Sequence, residues 1–235
     1  MILSDRQIVK LCQAGMITPF EPKQIRRIEE NKAISFGTSS FGYDIRLGEE
    51  FKAISPSKLT QLESLPLLER PIMDPKNPPH ELFTDYFTAD SFLVPPHGFV
   101  LTRSLEHFSI PDDTIGICLG KSTYARCGII VNITPLEPGW RGILTIEISN
   151  TTPLPAKLYA GEGIAQIIFF TGEQPDISYN NKGGLYQDQP GILMSRIAAE
   201  KSAEKTDQKP KQNEFNRTRE YIANNTLQWE LDCLG

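Results

Sequence analysis

A short polar segment between two apolar runs offers groups that can bind phosphate. Residues 121–126, Lys-Ser-Thr-Tyr-Ala-Arg, lie between the apolar runs 115–119 and 129–131. On one helical turn Ser122 and Arg126 would face the same way. Backbone amides at the start of a turn, hydroxyl groups and a planar guanidinium together can hold a phosphate. The alternative interpretation is a capped surface turn with solvated charges.

Glu147 is a candidate proton acceptor. In the segment 142–148, Leu144, Ile146 and Ile148 alternate with Ile143, Thr145 and Glu147, which is typical of a strand with two different faces. A Glu with an ordinary pKa of about 4.3 is ionised at neutral pH and can take a proton from water. A carboxylate on the wet face of a strand is also commonly just solvated.

Gln166 is an amide inside an apolar run. The segment 164–170, Ile-Ala-Gln-Ile-Ile-Phe-Phe, is apolar on both faces and predicts a central strand. A buried amide costs about 1–3 kcal/mol unless it is hydrogen-bonded. Gln166 therefore either satisfies a neighbouring backbone group or presents its donor and acceptor to a base or sugar.

A glycine-containing segment near residue 180 can serve as a closing loop. Tyr179, Tyr186 and Gln189 lie in 179–189, which contains the pair Gly183-Gly184. Such a composition predicts a mobile loop that folds over a ligand, although it is equally typical of an ordinary surface loop.

Several common chemistries lack their motifs. His80, His97 and His107 are the only histidines, and none lies in the His-x-Glu or His-Glu-x-x-His settings of zinc deaminases and zinc hydrolases. Gly120-Lys121-Ser122 resembles the end of a Walker A loop, but position 115 is Ile where that motif requires Gly. No Gly-x-Gly-x-x-Gly sequence opens a helix after a strand, so a dinucleotide site is not indicated.

Composition restricts partners and location. The net charge is −5, which argues against nonspecific binding to nucleic acid or an anionic membrane and leaves a basic pocket possible. No apolar run approaches membrane-spanning length, and the N-terminus turns polar before a signal region forms, so we expect a cytoplasmic protein. The four cysteines are scattered and predict reduced thiols.

The positioning elements are a short helix and many strands. Ser4 and Gln7 form a capping-box pattern, and the helix it predicts should stop at Gly15. Beyond residue 40, short β-branched and aromatic runs broken by Pro and Gly predict a mainly β sandwich or barrel. The proline-rich stretch 59–80 predicts a surface excursion rather than a domain boundary. Residues 198–235 are predicted to be a charged tail, partly disordered or with a short helix around 221–231.

Together these segments resemble dCTP deaminase, a member of the dUTPase-like superfamily. The matching motifs occur in the family's order over about residues 1–197 and comprise 39–46 (SSFGYDIR), 120–126 (GKSTYAR), 134–140 (TPLEPGW), 145–147 (TIE) and 161–166 (GEGIAQ). The resemblance implies a distorted β-barrel or jelly-roll-like, dUTPase-type fold and a homotrimer with shared active sites. It also implies hydrolysis of dCTP to dUTP and ammonia. Mg²⁺ would accompany the triphosphate, and zinc would play no part.

The resemblance also implies residue roles. Glu147 corresponds to the catalytic Glu that removes a proton from water and returns it to the base or the leaving ammonia. Ser122 and Arg126 correspond to residues that hold the water and stabilise the site. The remaining expected nucleotide contacts are Lys121, Thr123, Tyr124 and Ala125 near phosphate, Thr145, Ile146 and Gln166 at the base and sugar, and Tyr179 and Gln189 in the closing loop.

Two positions depart from the family pattern in the closing loop. Leu185 stands where related sequences have Lys, and Asp188 stands where Gly is common. Lys182 is a candidate replacement for the lost phosphate contact, so triphosphate affinity is the property that these departures put in question.

Two other functions stay open at this point. A bifunctional enzyme or a plain dUTPase would also cleave the triphosphate, although Glu137-Pro-Gly-Trp140 resembles monofunctional deaminases more than the Asp-containing dUTPase motif. A nonenzymatic nucleotide-binding regulator would not need Glu147 with Ser122 and Arg126. The sequence does not decide whether dTTP inhibits the protein.

Overall fold

The computed structural model describes residues 1–197, which divide into two compact units. The first contains Met1–Ile54 and Phe83–Leu193, and the second contains Ser55–Leu82 together with 194–197. The predicted charged tail 198–235, with its helix around 221–231 and Cys233, lies outside the described residues. The domain boundary at 197 therefore stays a prediction.

The elements confirm a mainly β chain. Within residues 1–197 the α-helices are α1 (Asp5–Gln13), α2 (Pro56–Ser64) and α3 (Ser122–Ala125), and short 3₁₀ helices span Leu67–Glu69 and His80–Leu82. The strands are β1 (Ile17–Thr18), β2 (Ile25–Ile28), β3 (Asn31–Ser39), β4 (Gly42–Ile54), β5 (Phe83–Phe87), β6 (Ser91–Val94), β7 (Phe99–Ser109), β8 (Thr114–Gly120), β9 (Ile129–Asn132), β10 (Arg141–Asn150), β11 (Ala156–Tyr159) and β12 (Gly163–Thr171). None of these helices is long and apolar enough to cross a membrane.

Helix α1 forms as its sequence predicts. Ser4 is the N-cap, and its backbone N–H donates to Oε1 of Gln7 at 3.0 Å. Ile8 and Cys12 are buried on the face that packs into the core. Gly15 follows the helix with a φ of +97°, a left-handed conformation that favours glycine, so the predicted stop is confirmed.

Residues 55–82 contain a helix that the proline-rich sequence did not predict. Helix α2 begins after Ser55, whose hydroxyl accepts from the backbone N–H of Lys58 at 3.4 Å, and Pro56 occupies the first helical turn. None of the residues of α2 is buried. Because α2 buries no residue, burial does not impose a strong apolar pattern on its sequence. The segment belongs to the second compact unit.

Strand β4 joins the two halves of the main sheet. Its first residues pair with β3 and β12, whereas its later residues pair with β7 and β5. The sheet continues from β7 to β10 and then to β9, while β12 continues to β8. Because one long strand changes neighbours along its length, the sheet curls around the core instead of lying flat.

The predicted strand 142–148 is confirmed as part of β10. Leu144, Ile146 and Ile148 are buried on one face, and Ile143, Thr145 and Glu147 are half-buried on the other. Burying a large aliphatic side chain contributes about 1.5–3 kcal/mol, so this alternation fixes which face Glu147 occupies.

A buried ion pair connects β4 to β7. Glu106 on β7 is fully buried and accepts from Arg46 on β4, at 2.8 Å from Nε and 3.0 Å from the backbone N–H. The Tyr43 hydroxyl donates to the same carboxylate at 3.5 Å. Burial raises the pKa of Glu106, and Arg46 opposes that shift.

Candidate active site

The polar segment 121–126 forms one helical turn at the end of β8. Lys121 is the N-cap of α3 and Arg126 is its C-cap. The backbone N–H of Ala125 donates to the Lys121 carbonyl, and that of Arg126 donates to the Ser122 carbonyl, each at 3.1 Å. The predicted helical turn is therefore present and carries Ser122 and Arg126 at its two ends.

Tyr124 fixes this turn to the core, and its neighbours remain open. Tyr124 is 3% exposed, and its hydroxyl accepts from the Tyr159 backbone N–H at 3.3 Å. Ser122, Thr123 and Arg126 are exposed. Within residues 1–197 their side chains have no hydrogen-bond or ion-pair partner, so these three side chains are available to a ligand or to another chain.

Lys121 points toward a buried carboxylate. Its Nζ lies 2.6 Å from Oδ2 of Asp44 and 3.1 Å from Oγ of Ser35. Asp44 is 2% exposed and also accepts from Nε2 of Gln24 at 3.1 Å. The phosphate contact expected of Lys121 stays a prediction, and in this structure its ammonium group anchors the start of α3.

Glu147 is a half-buried residue whose carboxylate has one buried, unsatisfied oxygen. It lies on β10 between β7 and β9, opposite Leu101 and Asn132. Its Oε2 atom is buried and has no hydrogen-bond partner within residues 1–197. A buried polar atom without a partner is costly, and such atoms are concentrated where a ligand or a water completes the site.

The environment of Glu147 prepares it to exchange protons near neutral pH. Burial raises the pKa of Glu147 to about 7, opposed only by a main-chain hydrogen bond. Burial also raises the pKa of the nearby Cys118 thiol to about 12, and the charge of Glu147 acts in the same direction. A carboxyl group with a pKa near the working pH is well suited to general acid–base catalysis.

Gln166 lies at the centre of the sheet, as its apolar flanks predict. It is on β12, opposite Asp44 on β4 and Leu119 on β8. Its Nε2 donates to Oγ of Ser39 at 2.9 Å, which is a side chain and not a backbone group, and contact with a base or sugar stays a prediction.

The segment 179–189 is seated on β10 of its own chain rather than free. The backbone N–H of Ile143 donates to the Gln189 carbonyl at 3.0 Å, and Gln189 Nε2 donates to the Ile143 carbonyl and to Thr145 Oγ1. The Tyr179 hydroxyl accepts from the backbone N–H of Tyr186 at 3.1 Å. These hydrogen bonds seat the segment on β10 in this structure, and its closing over a ligand stays a prediction.

One glycine in this segment is required by close packing. A Cβ atom at Gly184 would lie 2.1 Å from the ring of Tyr179, closer than atoms can approach. The ring of Tyr179 therefore rests on the backbone of Gly184, which fixes Tyr179 in position.

Thr145 and Ile146 are predicted base or sugar contacts, and other residues of the same chain largely cover both. Thr145 Oγ1 accepts from Gln189 Nε2 at 3.2 Å and from the Leu193 backbone N–H at 3.1 Å. Ile146 is fully buried on the opposite face, so only its main chain could reach a nucleotide. Glu147 lies on the same face of β10 as Thr145, and residues 189–193 already cover that face at Thr145.

Comparison with known proteins identifies the family. A family model described as dCTP deaminase-like matches residues 2–172. The chain belongs to this family. A dCTP deaminase of Polaromonas sp. (strain JS666 / ATCC BAA-500) is 51% identical over 197 residues, which cover 83% of this chain and 98% of the relative. One from Albidiferax ferrireducens (strain ATCC BAA-621 / DSM 15236 / T118) is 52% identical over 198 residues, with the same coverage.

A solved structure confirms the fold of this dCTP deaminase-like chain. The crystal structure of 2'-deoxycytidine 5'-triphosphate deaminase from Agrobacterium tumefaciens matches with a TM-score of 0.51 at 18% identity. The match covers 73% of this chain and 48% of that one, so the chain spans about half the length of that protein. At this identity the likeness concerns the fold alone.

Metal-ligand clusters are missing from the described part of this dCTP deaminase-like chain. Residues 1–197 contain no group of three or more His, Cys, Asp or Glu side chains placed to hold a metal ion. Cys12, Cys118 and Cys127 are free thiols, as predicted.

Sequence reasoning missed Asp44 as a site residue of this dCTP deaminase-like chain. The available signal was an Asp between the apolar residues Tyr43 and Ile45 near the start of β4. A buried charge requires a partner, but nothing in the sequence says that the partner is Lys121, 77 residues away.

Proposed function

We propose that the chain hydrolyses dCTP to dUTP and ammonia, with Glu147 as the proton acceptor. The observation that carries this proposal is the buried, unpartnered Oε2 of Glu147 on β10, in a chain of the dCTP deaminase-like family. The relatives named dCTP deaminase support the choice of substrate. As a hydrolase of nucleotide metabolism the protein would supply dUTP for thymidylate synthesis.

The reaction needs one water molecule and three proton movements. The Glu147 carboxylate takes a proton from water, and the resulting hydroxide forms a bond to C4 of the cytosine ring. Glu147 then returns the proton to the amino group, the C4–N bond breaks, and ammonia leaves. The proton of the new C4 hydroxyl moves to ring N3, which gives the uracil base of dUTP. The Glu147 pKa of about 7 suits both of its steps, because the group can hold and release a proton at neutral pH.

The remaining roles follow the family resemblance. Ser122 and Arg126 would hold the attacking water and stabilise the charge that develops, and Thr123 with the α3 backbone would contact phosphate. Gln166 and the main chain at Thr145 and Ile146 would contact base and sugar. Tyr179 and Gln189 would close the site.

Separating the products of dCTP tests this function. The protein is incubated with dCTP and Mg²⁺, and dUTP, dUMP, pyrophosphate and ammonia are quantified. We expect dUTP and ammonia in equal amounts. Formation of dUMP with pyrophosphate would indicate the bifunctional alternative, conversion of added dUTP without ammonia a plain dUTPase, and binding without turnover a nonenzymatic regulator.

We further propose that Mg²⁺ enters only as part of the nucleotide substrate and that zinc is not used. The donor set supports this, since no cluster of three potential ligands occurs in residues 1–197. EDTA should slow turnover, and Mg²⁺ alone should restore it. Stoichiometric zinc that is lost together with activity and that alone restores activity would overturn this part of the proposal.

The active form is proposed to be a homotrimer with shared sites. Glu147, Ser122 and Arg126 each lack a side-chain partner within residues 1–197, as expected if a second copy completes the site. Mixing Glu147→Gln and Arg126→Gln proteins under subunit exchange should recover part of the parental turnover, because some sites would then combine intact residues. Mixed oligomers without activity would contradict sharing between these two residues.

The proposed location is the cytoplasm, where dCTP is available. The free thiols of Cys12, Cys118 and Cys127 suit such a reducing compartment.

A further inference from the structure

An open pocket of about 840 Å³ lies beside the polar turn. The β2–β3 hairpin supplies Arg26, Arg27, Lys32 and Ser35, the turn supplies Thr123, and the loop before β12 supplies Glu162. Pockets of 300–1,000 Å³ are the usual size for small-molecule ligands, so this one can accept a nucleotide-sized group.

Three cations in this pocket lack carboxylate partners. Arg26, Arg27 and Lys32 are exposed, and none lies within 4.0 Å of a carboxylate oxygen in residues 1–197. Arg26 donates to the side-chain carbonyl of Gln24 at 2.8 Å, and Arg27 donates to a main-chain carbonyl at 3.3 Å. These neutral contacts orient the guanidinium groups without neutralising them.

The pocket also contains one carboxylate, that of Glu162, which already accepts a hydrogen bond from the main chain. Oε2 of Glu162 accepts from the Ile34 backbone N–H at 2.7 Å. The formal charge of the pocket is therefore positive in a chain whose net charge is −5. A positive pocket on an acidic protein concentrates anionic ligands locally.

Hydroxyl groups connect the pocket to the candidate active site. Ser35 Oγ accepts from Lys121 Nζ at 3.1 Å, and Lys121 begins α3. Thr123, on α3 itself, lines the pocket, and its side chain makes no hydrogen bond within residues 1–197. Cations and hydroxyls converging on one pocket are the groups that bind phosphate oxygens.

We propose that Arg26, Arg27 and Lys32 form a binding site for a triphosphate group on the β2–β3 hairpin. The proposal rests on the proposed function only for the identity of the nucleotide. The triphosphate belongs either to the substrate, whose phosphates would extend from the turn into the pocket, or to a second nucleotide. The chemistry of recognition is the same in both cases.

Binding of inorganic tripolyphosphate tests the site directly. Titration calorimetry is performed on the full chain, on the pocket variant Arg26→Gln/Arg27→Gln/Lys32→Gln and on a control variant, Arg6→Gln/Lys10→Gln/Lys76→Gln. The control removes the same charge from three exposed residues outside the pocket. We expect the pocket variant to bind tripolyphosphate at least about tenfold more weakly than the control, and the difference to shrink at high salt.

Competition with dCTP distinguishes the two sources. If the pocket holds the substrate's phosphates, saturating dCTP displaces tripolyphosphate, and the pocket variant raises KM for dCTP with little change in kcat. If it holds a second nucleotide, tripolyphosphate binds alongside dCTP, and KM for dCTP is unchanged. Either result supports the site.

Equal tripolyphosphate affinity in the pocket and control variants would overturn the proposal. The circular dichroism spectrum and melting temperature of both variants show whether each is folded, and substituting Lys32→Gln alone provides a milder variant. A parental protein that binds tripolyphosphate through the pocket but releases no ammonia from dCTP would refute the proposed function and leave the phosphate site standing.

Discussion

Glu106 and Glu147 lie on neighbouring strands, β7 and β10, and have opposite environments. Glu106 is fully buried and receives hydrogen bonds from Arg46 and from Tyr43. Glu147 has a buried oxygen with no partner in residues 1–197. Burial raises the pKa of both groups, but only Glu106 has a cation that opposes the shift.

The difference shows how one sheet uses carboxylates in two ways. The satisfied carboxylate of Glu106 ties β7 to Arg46 on β4 and stabilises the curled sheet. The unsatisfied carboxylate of Glu147 makes no such link, so its cost to stability is compensated only if a ligand or another chain uses it. Exchanging each Glu for Gln should therefore have opposite consequences at the two positions.

The largest effect on stability is expected for Glu106→Gln. The amide leaves the partly buried Arg46 with only the Glu21 carboxylate at 4.0 Å, and breaking a buried ion pair typically costs about 3–5 kcal/mol. Urea unfolding should show this loss, while turnover per folded molecule should change little. An unchanged unfolding free energy would mean that Glu106 does not hold the sheet as described.

Glu147→Gln should act in the opposite direction on stability. With a folded pKa of about 7, the carboxyl remains protonated in the folded chain at a pH where the unfolded chain has released its proton. Its contribution to stability is therefore present below the ordinary Glu pKa of about 4.3 and is lost as the pH rises through about 7.

Glu147→Gln removes this pH-dependent loss because an amide does not ionise. The variant should gain stability relative to the parent between pH 5 and pH 8, by no more than about 3 kcal/mol. Urea unfolding at both pH values measures the gain. A variant that is less stable than the parent at pH 8 would show that the Glu147 carboxylate is satisfied in the folded protein.

Asp44→Asn should have a smaller effect, confined to binding. The change leaves Lys121 without its anionic partner and loosens the start of α3. We expect KM for dCTP to rise about tenfold with little change in kcat, because Asp44 positions the turn and does not touch the reacting atoms. Restoring Asp44 by reversion controls for folding, and a fall in kcat at unchanged KM would contradict a positioning role.

The smallest effect is expected from removing the chain beyond Ala198. The curated relatives match over 197 or 198 residues, which cover 98% of their own length. They therefore have no counterpart to the segment beyond Ala198. Turnover of dCTP should be nearly unchanged after this cut, whereas a cut before Tyr179 should abolish it because the hydrogen bonds from Gln189 to β10 are lost. Loss of activity or of the oligomer after the shorter cut would show that the terminal segment is structural.

Local patterns predicted much of the fold. The capping box at Ser4 predicted α1, the alternation around Glu147 predicted β10, and the apolar flanks of Gln166 predicted a central strand. Each of these patterns involves residues that are close in the sequence. Helix α2 was missed because it buries no residue.

The partners of the site residues could not be predicted because they are long-range. The sequence does not show that Lys121 meets Asp44, or that Gln189 bonds to β10, since folding brings these residues together. It also gives no sign that Oε2 of Glu147 lacks a partner within residues 1–197. Family resemblance supplied the expected roles, and only the structure reveals which side chains remain unpartnered within residues 1–197.

Ammonia release from dCTP by Glu147→Gln protein tests the central claim most directly. The variant and the parent are compared at equal concentrations of folded protein, with Mg²⁺ present and with dUTP measured alongside ammonia. Because Gln keeps the shape of the side chain and removes the proton acceptor, we expect turnover to fall by about 10²–10⁴-fold. Turnover within a few-fold of the parent would contradict the assignment of Glu147 as the group that takes the proton from water.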